Sequence, residues 1–279
     1  RERCGNGEVV IVGSDFFPVK YMRQLETLTP DIRYQVDDDL VRELRRVKSP
    51  RELDCYREAG EVTGRALNQL MESLIAGGTQ VEAASKAGAT LISAGATWRR
   101  MILNHGETLD YLERDSVRGY SSDAPTDGQM VRAWIDSVFE GYWLDPGRSA
   151  ICGGNPTSTQ KAVLEKTVDI CERLRGEIQP GVRVLDIALL GEQLVGESGY
   201  ADPAQEAWPY FGHGVGCMWE APIFDKNCCR DDEVFESGMV LGVECFLRCP
   251  ETGVAGYEDN FIVTDDGTEV ITPANSCWW

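Results

Sequence analysis

Apolar and polar positions follow a helical spacing over two long stretches of the chain and a strand-like spacing over most of the remainder. In KSPRELDCYREAGEVTGRALNQLMESL, residues Leu53, Tyr56, Ala59 and Val62 fall on one helix face. Ser49, Pro50 and Glu52 open this segment as an N-cap, a first-turn proline and the glutamate of a capping box. Thr79 and Glu82 form a second capping box ahead of VEAASKAGATLISAG, which predicts a shorter helix. STQKAVLEKTVDICERLRGEIQPG and VRVLDIALLGEQLVGESGY repeat the arrangement further along. The junctions ESLIAGGTQVEAA and GEIQPGVRVLDIA share a helix end, a glycine turn and a helix start, so an internal duplication is expected. GQMVRAWIDSVFEGYWLDPGRS, FGHGVGCMWEAPIF, GMVLGVECFLRC and GVAGYEDNFIVTDDGTEVIT read as strands bounded by glycine. Ahead of all these, GEVVIVGSDFFP and TPDIRYQVDDDL each predict a strand and fit the tail of a preceding α/β unit.

Composition narrows the function classes. With 279 residues, 42% hydrophobic and 26% charged, the chain can bury a substantial core. No stretch approaches the roughly 18 consecutive apolar residues that span a bilayer. Lys and Arg number 27 against 46 Asp and Glu, a net charge of −19, which argues against nucleic acid and anionic membranes as partners. The opening RERCGNGEVV has neither an initiating methionine nor a signal-peptide pattern, so a missing upstream segment and a cytoplasmic location are expected. The ten cysteines form no paired C-x-x-C motif and are expected to be reduced. Cys217, Cys228, Cys229, Cys245 and Cys249 are expected as small core residues, the alternative being a reactive thiol near the site.

The candidate chemistry centres on one of only two histidines, His213 in FGHGVG. Asp145, Glu244 and Glu258 lie, like it, in or beside predicted strands of apolar sequence, where a lone ionised carboxylate is costly. A divalent metal supplies the missing counter-charge, and one imidazole with three carboxylates suits Mn, Fe, Co or Zn. Each residue alone is more often a rim or hydrogen-bonded side chain than a ligand, and it is the set that changes the reading. Asp136 stands two residues beyond Trp134 and shares its strand face, unless a bulge reverses it. GHGVG lacks the spacing and the following helix of a dinucleotide fingerprint.

Taken as a set, these motifs resemble the pita-bread superfamily of creatinase, prolidase, aminopeptidase P and methionine aminopeptidase. GHGVG with the following Glu-Ala-Pro resembles its histidine strand, GMVLGVE and GYEDNFIVTDDGTEVIT its two glutamate strands, and EGYWLDPGRS the segment of its metal aspartate. The resemblance implies an α+β fold of duplicated helix-helix-strand halves around a curved antiparallel sheet. It also implies a catalytic domain over 39–279, with the end of a separate N-terminal domain over 1–38. A small-molecule substrate and a homodimer are expected on the same ground. Asp145, His213, Glu244 and Glu258 map onto metal ligands, with Asp136 as an additional candidate. Glu220, Glu258 and His105 are the candidate proton-moving or substrate-contacting groups. Two positions depart from the family: Trp134 stands where a metal aspartate is expected and Trp219 where a second histidine is. An indole neither ligates a metal nor carries a proton at neutral pH. Both tryptophans are therefore expected to shape the substrate pocket. GMVLGVECF, lacking a proline after its glutamate, is closer to the superfamily's lyases. The resulting expectation is a metal-dependent hydrolase or lyase of a small amino-acid-like molecule, non-peptidase and with one metal. The alternatives are an Xaa-Pro aminopeptidase or prolidase, and a non-catalytic binding protein.

Overall fold

The computed structural model describes residues 7–106, 109, 119–200 and 210–277. Contacts divide the chain into two compact units, Arg1–Val47 and Lys48–Trp279. In the first, β1 (Glu8–Ile11) pairs in parallel with β2 (Arg33–Val36), and α1 (Val19–Leu28) is the crossover that parallel strands require. Helix α2 (Asp39–Arg46) completes this unit, preceded by Asp38, whose carboxylate accepts from the Ser14 amide at 2.8 Å.

The second unit opens with α3 (Pro50–Ile75) and α4 (Gln80–Ser93), and both predicted capping boxes form, at Ser49/Glu52 and Thr79/Glu82. Strands β3 (Thr97–His105), β4 (Met130–Phe139), β5 (Tyr142–Leu144) and β6 (Gly147–Ile151) follow. Helices α5 (Ser158–Glu177) and α6 (Val184–Ser198) repeat the helical pair. They lead into β7 (Gly212–Val215), β8 (Trp219–Ile223), β9 (Val240–Cys249), β10 (Gly253–Thr264) and β11 (Gly267–Val270). Together β3 to β11 make one nine-stranded sheet with the path β3-β4-β6-β10-β9-β7-β8, to which β5 and β11 attach at β4 and β10. Every pairing within it is antiparallel.

The duplication is visible in the packing. Leu67, Leu70, Met71 and Leu74 of α3 join Ala83, Ala87 and Leu91 of α4 against Val131, Ala133 and Ile135 of β4. Val163, Leu164 and Leu174 of α5, with Ile187 and Leu194 of α6, pack on Leu241, Val243, Cys245 and Leu247 of β9. Strands whose apolar residues alternate bury one set under a helix pair and turn the other set to the opposite face of the sheet. That opposite face carries the candidate site.

All the described cysteines are free thiols. Cys4 lies outside the described residues. Cys245 and Cys249 are buried in β9, but Cys217 and Cys228 are exposed and Cys229 is half-buried, which corrects the expectation of five core residues. Those three lie in turns between strands, and of them Cys229 packs against the core cluster of α5, α6 and β9.

Candidate metal centre

The sheet brings Asp145, His213, Glu244 and Glu258 to one point. Asp145 stands in the link between β5 and β6, His213 on β7, Glu244 on β9 and Glu258 on β10. Glu258 pairs directly opposite Glu244 across the β9–β10 ladder and opposite Gly147 on β6, while His213 faces Gly242. All four are buried, at 1% to 3% exposure. His213 Nε2 lies 3.2 Å from Asp145 Oδ2, 3.4 Å from Glu258 Oε1 and 3.8 Å from Glu244 Oε1. Two glycines permit this closeness. A Cβ on Gly242 would come within 2.8 Å of Glu258 Oε1, and one on Gly147 within 1.8 Å of the Trp134 ring.

Hydrogen bonds fix the donor atoms. His213 Nδ1 lies 3.1 Å from the Gly214 carbonyl oxygen, which can only accept, so Nδ1 carries a proton and Nε2 faces the acids. Burial alone would lower the His213 imidazole pKa, but the charge and hydrogen bond of Asp145, with the charge of Glu244, reverse this and hold it up at about 9. For Asp145, burial works to raise the pKa and is outweighed by His213 and by bonds from Asn260 and Trp219, so its carboxyl sits below the ordinary range. Glu258 moves well upward, because burial and the nearby Asp145 charge both oppose its ionisation.

The residues fit a divalent ion. Glu258 Oε1 is buried with no hydrogen-bond partner, and burying such an atom costs roughly 1–3 kcal/mol unless something compensates it. Two carboxylates directly opposite on paired strands repel. One imidazole nitrogen and carboxylate oxygens are the donor set of Mn, Fe, Co and Zn sites. Asp145, His213 and Glu258 offer ligand atoms all within 4.8 Å of one another. Because His213 must release its Nε2 proton to ligate, Mn2+ affinity of the metal-free protein is expected to fall at least about tenfold for each pH unit below 9. The proton on Glu258 acts in the same direction, whereas Asp145 is already ionised. Calorimetric titrations between pH 6 and pH 9 check this, and a flat profile would contradict it.

Asn260 is a site residue that sequence reading missed. Its amide donates from Nδ2 to Asp145 Oδ1, and its Oδ1 accepts from the Asp145 backbone N–H, both at 2.9 Å. The available signal was its place two residues after Glu258 on the same strand face. Arg100 and Arg132 were also missed. Both line a small inner chamber of about 20 Å3 together with Trp134, Asp136, Asp145, Trp219, Glu244 and Glu258. Arg132 is fully buried and donates to the Val254 carbonyl and to Asn104 Oδ1, each at 3.1 Å. An adjoining outer chamber of about 290 Å3 is lined by Arg99, Arg100, Asp136, Trp143, Met218 and Trp219.

Asp136 does face the same cavity as Trp134, with its Oδ2 bonded to Arg100 Nε. Trp134 Nε1 donates to Glu258 Oε2 at 2.5 Å, and its ring stacks on Phe246. Trp219 Nε1 donates to Asp145 Oδ2 at 3.0 Å beneath the Arg100 guanidinium. Glu220 is buried on β8, where its Oε1 accepts from Lys48 Nζ at 2.6 Å. His105 ends β3 opposite Val131 and does not line either chamber.

The model of metallopeptidase family M24 matches residues 54–265, and the chain belongs to that family. An Xaa-Pro dipeptidase of Pyrococcus horikoshii is 23% identical over 269 residues, covering 91% of this chain and 70% of the relative. That of Pyrococcus furiosus is 25% identical over 254 residues, 84% of this chain and 65% of the relative. The chain thus spans about two thirds of these relatives' length. Among solved structures, the prolidase from Pyrococcus furiosus superposes with a TM-score of 0.80 at 21% identity, over 96% of this chain and 76% of that one. The Xaa-Pro dipeptidase from Bacillus anthracis gives 0.81 at 24% identity, over 96% and 73%. The fold is the pita-bread fold, and the family's divalent metal is the cofactor. The expectation of a non-peptidase hydrolase or lyase is corrected by these matches, which favour the peptidase alternative. That expectation weighed two tryptophans and a missing proline above a likeness running through most of the chain.

Proposed function

We propose that this protein is a metal-dependent peptidase of Xaa-Pro dipeptidase type, acting on small peptides at the centre formed by Asp145, His213, Glu244 and Glu258. The observation that carries the reading is the buried convergence of His213 Nε2 with three carboxylates in a chain of a metallopeptidase family. When bound, a divalent ion there polarises a carbonyl oxygen and lowers the pKa of water to roughly 7. Asp145, His213, Glu244 and Glu258 would hold it.

The remaining chemistry belongs to the chain. Glu258, whose carboxyl is held well above the ordinary range in the metal-free site, would give up its proton when the ion binds and serve there as a ligand. Asn260 orients Asp145 through its paired hydrogen bonds. The outer chamber of about 290 Å3 is near the lower end of small-molecule pockets, roughly 300 Å3, and suits a dipeptide better than a long chain. Trp143 and Trp219 give it apolar faces, and the Asp136 carboxylate offers an acceptor for a substrate amine. Trp134 forms part of the inner wall. Glu220 has its charge engaged by Lys48 and supports β8, and His105 would meet substrate only from outside both chambers. A homodimer follows from the family resemblance and is checked by sedimentation.

The test is proline release from a panel of Xaa-Pro dipeptides by Mn2+-loaded protein, with tripeptides and non-prolyl dipeptides alongside. Chelation is expected to abolish release and added metal to restore it. Absence of cleavage across the panel with Mn2+, Co2+ and Zn2+ would overturn the reading.

A further inference from the structure

Two indoles line the inner chamber, and their N–H groups are turned onto the same carboxylates that face His213. Trp134 Nε1 donates to Glu258 Oε2, and Trp219 Nε1 donates to Asp145 Oδ2. A carboxylate that binds two ions must offer lone pairs on two sides, and an N–H donor competes for those lone pairs as a cation does. The indole nitrogen is a donor only, so neither tryptophan can become a ligand. Asp145 has its other oxygen bonded to Asn260 Nδ2 at 2.9 Å. Glu258 keeps Oε1 without a hydrogen bond, 3.4 Å from His213 Nε2. The open coordination capacity of both acids is therefore on the His213 side.

Charge agrees. The lining of the inner chamber includes the carboxylates Asp136, Asp145, Glu244 and Glu258 and the guanidiniums Arg100 and Arg132. Nearby Arg148 and Lys48 are engaged by Asp259 and Glu220. With the acids ionised and His213 neutral, two negative charges are left over, and one divalent ion neutralises them. A second would leave an excess of two positive charges in a buried space, which weakens its binding. Asp136, the one lining acid that does not approach His213 within 4 Å among the described ion pairs, is bridged to Arg100.

We infer that the indole N–H groups of Trp134 and Trp219 occupy the carboxylate lone pairs a second cation would need, so that the centre holds one divalent ion per chain. The inference rests on the metallopeptidase reading above and concerns how that site is filled. Metal-free full chain is titrated with Mn2+ by calorimetry, with elemental analysis after dialysis and tryptophan emission followed in parallel. One equivalent per chain is expected, with an emission change that saturates at the same point. A Trp219→His variant, verified as folded by circular dichroism, is expected to take up a second, weaker equivalent because an imidazole can ligate where the indole cannot. Two equivalents in the unaltered protein would overturn the inference and leave the metallopeptidase reading standing. No bound metal would overturn both. A folded Trp219→His variant that stays at one equivalent would remove the Trp219 indole as the limiting feature and overturn the inference as stated for both tryptophans. The count on the unaltered chain decides the matter even where the variant fails to fold.

Discussion

A His213→Ala variant is expected to lose divalent-metal affinity by more than about 100-fold, the upper range for removing a group that merely supports a ligand. Peptide hydrolysis should fall with it. His213 is the one imidazole of the proposed centre among the described residues, and its Nε2 lies within 3.8 Å of three different carboxylates. Without it Asp145, Glu244 and Glu258 face one another with no imidazole among them, and protonation of the acids then competes directly with metal binding. The His213 ring also packs between Trp143 and Trp219, with centroids 6.0 and 5.8 Å away, so circular dichroism must show that the fold survives. Metal content by elemental analysis and proline release are the two readouts. A folded variant with unchanged metal content would remove the centre as described.

The second large effect is on stability. Lys48→Met is expected to destabilise the protein by about 3–5 kcal/mol, the usual cost of deleting one partner of a buried ion pair. Lys48 Nζ and Glu220 Oε1 are 2.6 Å apart, with side chains only 4% and 6% exposed. The substitution keeps the length and most of the volume of the side chain, so the loss reads the charge rather than the packing. Adding Glu220→Gln to it should recover part of the loss, because the buried negative charge goes too. Urea unfolding of the metal-free protein measures both steps. A Lys48→Met protein within about 1 kcal/mol of the unaltered chain would show that the pair contributes little.

Much of the fold was legible because its signals are local. The capping boxes at Ser49/Glu52 and Thr79/Glu82 mark helix starts within four residues, and the repeated helix-glycine-helix pattern carries the duplication. Asp145, His213, Glu244 and Glu258 stood out because charged or imidazole groups are conspicuous in apolar strands. What lay beyond reach depends on register and on distant pairing. Nothing near Glu244 in the sequence says that Glu258 will lie directly opposite it, or that Arg100 will meet Asp136 across β3 and β4. Glu220 reads as a candidate proton carrier until Lys48, 172 positions earlier, is found against it. Trp134 and Trp219 could be read as walls, but their N–H bonds to Glu258 and Asp145 are tertiary facts.

The place of β10 in the sheet has a consequence for how the molecule is held together. This strand pairs with β6 on one side and β9 on the other, so it is the seam along which the two repeats are stitched. Asp145 comes from one repeat, His213 and Glu244 from the other, and Glu258 from the seam itself. A cation held among them would act as a clasp across the joint, tying the two repeats into one body.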